Sequence, residues 1–255
     1  MKNSVIICEG TTDGVLLQYL MEKVGGWKYS NGAPRLKHRR SGMPKDEWVH
    51  LLSRNDDSLT ITSAGTNSEL IPVFEKALKR SKNAGSDDER FADIVLLTDR
   101  DEDETERRIL EKVAAELSNC GASSTGQLQH NQWNDCSMKT STDESFRFRV
   151  LVLVIPFTEN GALETFLLDA ISADSAAGDS YDKTIIDKGN VFVDTIDPKH
   201  KYLTQRRHIT KAKFDVYFCV RTPAEQFAER QNILKMIPWD NYKMIQQDFV
   251  LLEDI

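Results

Sequence analysis

Acidic side chains are concentrated directly after an apolar run in the segment IVLLTDRDEDET, residues 94–105. Asp99 and Asp101 stand two residues apart, so their side chains share one face of an extended strand end. Carboxylates this close repel one another unless they take up protons or meet a cation. Mg²⁺ and Mn²⁺ favour ligand sets made only of oxygen. The spacing therefore indicates a metal site, with solvated acids at a loop tip as the plain alternative.

Three further carboxylates occupy comparable positions. Glu9 follows the apolar segment SVIIC, and Asp13 lies four residues later, one helical turn away, so both can face the same point. Glu164 stands early in the segment ENGALETFLLDAI. These three acids join Asp99 and Asp101 as candidate metal ligands. Ordinary acids of a helix start are an equal alternative for Asp13 and Glu164.

The segments that carry these acids alternate between strand and helix patterns. Strands are predicted at 4–8, 59–65, 91–99 and 148–156, and helices at 12–24, 66–81, 102–120 and 159–171. This alternation predicts an α/β fold with a central, mainly parallel sheet flanked by helices. Ligands of such sheets bind beyond the carboxyl ends of the strands, where Glu9 and Asp99 stand.

The chain is divided into two parts by its pattern. Residues 1–175 form the predicted catalytic domain, in which the polar stretch 119–146 is an insertion or a loosely structured hairpin. Residues 176–255 form a basic, helix-rich C-terminal extension.

Basic residues are segregated from the acidic clusters although the net charge is −7. The segments 35–45 and 199–213 contain many cations and no acid, which suits a track for a polyanion such as DNA or RNA. Ordinary solvated faces are the alternative. The candidate nucleic-acid-binding residues are Arg35, Lys37, Arg39, Arg40, Arg206 and Arg207.

Several classes of protein are disfavoured by composition. No apolar run approaches the ~20 residues that a membrane helix needs, and the N-terminus lacks a signal-peptide pattern. The four cysteines lie far apart without a CxxC pair, which argues against zinc and disulfides. The expectation is a cytoplasmic protein with no membrane partner.

Four motifs resemble the Toprim domain of topoisomerases, primases and OLD-type nucleases. EGTTDG at 9–14 resembles its strand ending in Glu-Gly, and LLTDRDED at 96–103 resembles its strand ending in Asp-x-Asp. SAGTNSEL at 63–70 lies where these proteins carry a glycine-containing turn. IPFTENGALETFLLDAI is similar to the Gly-x-Leu-Glu element of the standalone and OLD-type branch. The resemblance covers about residues 1–170.

The resemblance implies a Toprim-like fold with a four-stranded parallel sheet and one or two Mg²⁺ or Mn²⁺ ions. By position, Glu9 is a metal ligand or general acid/base, and Asp99 and Asp101 hold the metal. Asp13 and Glu164 match extra acids of the OLD-type branch, which is associated with two-metal chemistry. That branch also carries a late lysine, for which Lys211 and Lys213 are the candidates.

The function implied is a metal-dependent nuclease that cleaves phosphodiester bonds in DNA or RNA. The chain has no GxxxxGK[ST] P-loop, so any ATPase or sensor is a separate partner. Small Toprim nucleases are associated with antiphage defence, and a homo-oligomer is left open. The alternatives are a Toprim module that binds nucleic acid or a partner without cleavage, and a phosphatase with an Asp nucleophile.

Overall fold

The computed structural model describes residues 2–32, 36, 49–175, 181–223 and 230–255. The predicted nucleic-acid-binding residues Arg35, Lys37, Arg39 and Arg40 lie outside these ranges. The chain divides into two compact units. Unit 1 comprises residues 1–98, 102–154 and 251–255, and unit 2 comprises residues 99–101 and 155–250. The predicted division into 1–175 and 176–255 stays a prediction.

Strands and helices are interspersed up to residue 155, and in the described residues after it the regular elements are helices. The strands are β1 (Asn3–Cys8), β2 (Lys28–Tyr29), β3 (Val49–Arg54), β4 (Asp57–Ser63), β5 (Phe91–Asp99), β6 (Ala122–Ser124), β7 (Trp133–Lys139) and β8 (Ser145–Ile155). The α-helices are α1 (Thr11–Lys23), α2 (Asn67–Lys82), α3 (Thr105–Cys120), α4 (Leu163–Ser175), α5 (Tyr181–Ile196), α6 (Arg206–Arg221), α7 (Arg230–Met236) and α8 (Lys243–Asp248).

Among the described residues, one eight-stranded sheet has the order β2-β3-β4-β1-β5-β8-β7-β6. Its centre is parallel, because β1 pairs in parallel with both β4 and β5. Every residue of β1 is buried, as expected for a strand covered on both faces. Antiparallel pairs form the two margins, β2-β3-β4 on one side and β8-β7-β6 on the other.

The core of unit 1 lies between this sheet and two amphipathic helices. Alternate residues of β1, β5 and β8 point to the same face, where they meet the apolar stripes of α2 and α3. The central members are Val5, Ile7, Ile94, Leu96, Val73, Phe74, Val113, Leu117, Val150 and Val152. This packing fixes the direction in which β1 and β5 end, and so positions the residues that follow them.

Unit 2 is helical. Helix α4 packs against α5, α6 and α8. Phe157, Phe166 and Phe249 form a cluster of edge-to-face aromatic rings whose centroids are 5.6–6.0 Å apart. Such pairs stabilise a core beyond the area they bury.

The prediction of an α/β fold with flanking helices is confirmed, whereas the sheet is mixed rather than mainly parallel. The antiparallel margins are formed with β2, β3, β6 and β7, which were not among the four predicted strands. The stretch 119–146, predicted as an insertion or a loosely structured hairpin, contains β6 and β7, which pair antiparallel. No helix in the described parts of the chain is long and apolar enough to cross a membrane.

Candidate functional site

Glu9 is held at the carboxyl end of the parallel strand pair in unit 1. Its backbone amide donates to the Leu97 carbonyl oxygen at 3.0 Å. Its carboxylate oxygen Oε2 accepts from Thr98 Oγ1 at 2.8 Å and from Asn67 Nδ2 at 3.3 Å. Asn67 Nδ2 also donates to Thr98 Oγ1 at 3.0 Å. A closed polar triangle therefore fixes Glu9 next to the end of β5.

Asp13 is a buried helix-start acid. Its Oδ2 accepts the backbone N–H of Gly10 at 2.7 Å, and 5% of its surface is exposed. This bond satisfies an amide at the start of α1, which is the structural role expected of an acid at the third helical position. Burial, with added repulsion from Asp13 and Glu9, raises the pKa of the Cys8 thiol. Cys8 is therefore a protonated core residue rather than a nucleophile.

Asp99 and Asp101 each accept a hydrogen bond from a protein donor in unit 2. Asp99 Oδ1 accepts the Leu163 backbone N–H at 3.1 Å, which places a carboxylate at the start of α4, where the helix dipole favours it. Asp101 Oδ1 lies 2.5 Å from Arg206 Nη2. The DxD motif is thus joined to two helices, one by a backbone amide and the other by an arginine.

Arg100, between the two acids, anchors this segment, and sequence reasoning did not identify it. Its side chain donates to the carbonyl oxygens of Pro156 and Phe157, at 2.8 Å each. Its own carbonyl oxygen accepts from the Gly161 amide at 2.9 Å and from Arg206 Nη1 at 3.3 Å. The one feature of the sequence that could have indicated its role is that a single arginine stands between the acidic residues of this segment.

The other predicted residues of unit 2 lie on α4 and α6. Glu164 is buried in the first turn of α4. Lys213 Nζ pairs with Asp194 Oδ1 at 2.9 Å. Arg207 and Lys211 are exposed on α6 and are four residues apart, so they share one side of the helix.

The predicted metal ligands lie at the ends of β1 and β5 and at the starts of α1 and α4. In the residues that the structure describes, no group of three or more His, Cys, Asp or Glu side chains is placed to hold a metal ion. Asp13, Asp99 and Asp101 each accept from a protein donor. The oxygen donors of these carboxylates are of the type that Mg²⁺ and Mn²⁺ prefer.

The fold and these strand-end acids define a mixed α/β protein with an acidic segment at the end of its central strand β5. Residues 3–250 match DUF3226, a family described as a protein of unknown function, and the chain belongs to this family. No curated protein matches the chain.

Two solved structures were compared with the chain. The hypothetical protein PH0156 from Pyrococcus horikoshii OT3 is 17% identical, with 99% of this chain and 100% of that chain covered and a TM-score of 0.47. A glyoxalase/bleomycin resistance protein/dioxygenase family enzyme from Burkholderia phytofirmans PsJN is 14% identical, with 59% and 97% covered and a TM-score of 0.19. Neither likeness carries a functional argument.

Proposed function

We propose that this chain is a Mg²⁺- or Mn²⁺-dependent nuclease of the Toprim type that hydrolyses phosphodiester bonds in DNA or RNA. The observation that supports it best is the parallel pairing of β1 with β5. Glu9 directly follows β1, and Asp99 is the last residue of β5. Neighbouring parallel strands end at the same edge of a sheet, which is where ligands of α/β folds bind.

Each predicted residue has a role in this proposal. Glu9 is a metal ligand or general acid/base, and Asp99 and Asp101 are metal ligands. Asp13 and Glu164 are further acids, and Lys211 or Lys213 steadies transition-state charge. Nucleic-acid phosphates are bound by the basic residues Arg35, Lys37, Arg39, Arg40, Arg206 and Arg207.

The alternative is a Toprim-like module that binds nucleic acid or a partner without cleavage. It is favoured by the absence of a three-carboxylate group among the described residues. Metal binding separates the two functions, because a nuclease of this type requires the ion and the module does not.

Location and partners form a separate part of the proposal. We infer a cytoplasmic antiphage effector that works with a separate ATPase or sensor chain, with a homo-oligomer left open. This part rests on composition and on the resemblance to Toprim proteins.

The test is cleavage of supercoiled plasmid, single-stranded DNA and tRNA by the purified chain with Mn²⁺, Mg²⁺ or EDTA. Cleavage should require the ion and fall by more than about 100-fold in Glu9→Gln and Asp99→Asn, beyond the usual loss for an outer-shell partner of a metal. Asp56→Asn, which alters an exposed acid of unit 1, should cut like the wild type.

Two results would count against the nuclease. Equal cleavage by Glu9→Gln and the wild type overturns the assignment of the site. Absence of cleavage together with no heat on calorimetric titration of Mn²⁺ leaves the binding module.

A further inference from the structure

A cavity of about 230 Å³ lies within unit 2, between α4, α5 and α6. Its polar wall is contributed by all three helices. Its polar side chains include Thr165 and Asp169 of α4, Asn190 of α5, and Arg206, Thr210 and Lys213 of α6. At roughly 30 Å³ per water molecule, the volume corresponds to a compound of several non-hydrogen atoms.

Two oxygen atoms in this wall need hydrogen-bond donors. Asp169 Oδ2 and Asn190 Oδ1 are buried, and neither has a hydrogen-bond partner among the described residues. A buried polar atom without a partner is unfavourable, and most such atoms in native proteins are satisfied. Because both atoms are acceptors, the missing group must bring N–H or O–H donors.

The charges around the cavity favour a cation. Arg206 is paired with Asp101 and Lys213 with Asp194, so the two cations of the wall are already neutralised. Asp169 lies beside the exposed Glu159 in the segment before α4. The uncompensated charge at this cavity is therefore negative.

The carboxyl group of Asp169 keeps its proton to an unusually high pH. Burial, together with the hydrogen bond and the charge of Glu159, raises the pKa of Asp169 to about 7. Once that proton is lost, the Asp169 carboxylate needs an outside donor, and Asn190 Oδ1 has no donor among the described residues at any pH. A cationic donor can replace that proton, since an opposite charge stabilises two ionised carboxylates that are close together.

We propose that this cavity binds a small organic cation with a primary ammonium or guanidinium group, which donates to Asp169 and Asn190. A divalent metal ion suits it less, because Asp169 is the one carboxylate in this wall and no group of three acidic, His or Cys side chains is placed to hold an ion among the described residues. An inorganic anion would face the carboxylate of Asp169. Thr165 and Thr210 supply hydroxyl groups for the remainder of the ligand.

The test is calorimetric titration of the full chain with agmatine, which carries both cationic groups, and with putrescine. Agmatine should bind with release of a proton, seen as a binding heat that depends on the ionisation enthalpy of the buffer. Its affinity should be higher at about pH 8 than at about pH 6. At about pH 8 most Asp169 carboxyl groups are already ionised, so fewer protons must be released when agmatine binds. A neutral diol of the same chain length as putrescine should bind at least about tenfold more weakly, since it lacks charge-assisted hydrogen bonds.

Single-residue variants test whether agmatine binds in this cavity. Asp169→Asn and Asn190→Leu should each lower agmatine affinity by about tenfold or more. Asp187→Asn, at an exposed acid on α5 that pairs with Lys183, should bind like the wild type. Urea unfolding of each variant shows whether it is folded.

The proposal is overturned by three results. These are no binding of either amine to the wild type, equal binding by folded Asp169→Asn and wild type, and equal affinity for the diol and putrescine. Absence of binding would mean that water fills the cavity, equal binding by Asp169→Asn that the amine binds elsewhere, and equal affinity for the diol that the cavity does not select a cation. The readout is binding rather than cleavage, so failure of the nuclease proposal leaves this test unaffected.

Discussion

Asp101 and Arg206 form an ion pair within unit 2, with 2.5 Å between Oδ1 and Nη2. The sequence assigns these residues to different tasks, Asp101 to a metal ion and Arg206 to a nucleic-acid phosphate. Their side chains are 56% and 42% exposed, and an exposed pair contributes at most about 1 kcal/mol. A phosphate that engages Arg206 would therefore release Asp101 at little cost, which couples the two binding events.

Arg206→Gln tests this coupling. Removal of the cation should raise Mn²⁺ affinity by roughly three- to tenfold, because a positive charge next to a ligand repels the ion. The free energy of unfolding should fall by less than about 1 kcal/mol. Calorimetric titration and urea unfolding measure the two quantities. Arg207→Gln, the exposed neighbour on α6, should change neither, and lower Mn²⁺ affinity in Arg206→Gln would contradict the coupling.

The Thr98 hydroxyl supports Glu9. Thr98→Val should lower the free energy of unfolding by about 1 kcal/mol, because the variant keeps the shape of the side chain but removes the hydrogen bonds that it makes with the partly buried Glu9 and Asn67. Thr62 is an internal control: it is fully buried in β4, and its hydroxyl has no hydrogen-bond partner among the described residues. Thr62→Val should be neutral or stabilising in the same urea experiment. Equal losses of unfolding free energy in both variants would contradict the role of the Thr98 hydroxyl in supporting Glu9.

Gly161 permits a tight turn before α4. A Cβ atom at this position would lie 2.9 Å from Pro156 Cγ and 2.9 Å from Thr165 Cβ. Gly161→Ala should therefore cost about 1–3 kcal/mol, as for overpacked sites. At Gly126, a Cβ atom would meet nothing within 4 Å, so Gly126→Ala should have little effect. Thermal unfolding of the two variants compares them, and a stable Gly161→Ala variant would speak against the close approach.

Asp169 should make stability depend on pH. Its pKa is raised from an ordinary value of 3.8 to about 7 by burial and by Glu159. The folded chain therefore holds a proton that the unfolded chain releases, and this stabilisation is complete below about pH 4 and lost as the pH rises through 7. In urea unfolding at a series of pH values, Asp169→Asn should show a smaller decline over this window. Parallel curves for variant and wild type would contradict the shifted pKa.

Segments with a strong pattern were predicted well from the sequence. The strand predicted at 91–99 corresponds to β5, because its continuous apolar run suits a strand buried on both faces. The helix predicted at 102–120 begins only at Thr105, since the Thr105 hydroxyl accepts the Glu102 amide in a turn before it. In β7, buried Asn134, Cys136 and Met138 alternate with more exposed residues. The pattern was missed because Asn, Asp and Ser have low strand propensity, and pairing with β8 overrides it.

The candidate site was predicted in its residue types but not in its contacts. Arg206 lies 105 positions from Asp101 in the sequence, and no local pattern joins them. Asp99 accepts a hydrogen bond from the backbone amide of Leu163. Almost every residue has such an amide, so the residue type at position 163 does not reveal the contact. Asp169 and Asn190 were not predicted as site residues, because what marks them is a buried oxygen atom without a hydrogen-bond donor among the described residues of the folded cavity. Absence of a partner cannot be read from spacing.

The last five residues belong to unit 1 although unit 2 precedes them in the chain. Leu252 and Ile255 are buried, and the Leu251 carbonyl oxygen accepts from Trp133 Nε1 at 3.2 Å. Arg149 reaches the Asp254 carbonyl oxygen at 3.1 Å. During translation, the strands of the sheet therefore leave the ribosome before residues 251–255 are synthesised. The surface that these residues cover stays exposed until the whole helical unit has been synthesised. Contacts so distant in sequence form late, and in that interval the nascent sheet is open to chaperones and to other chains.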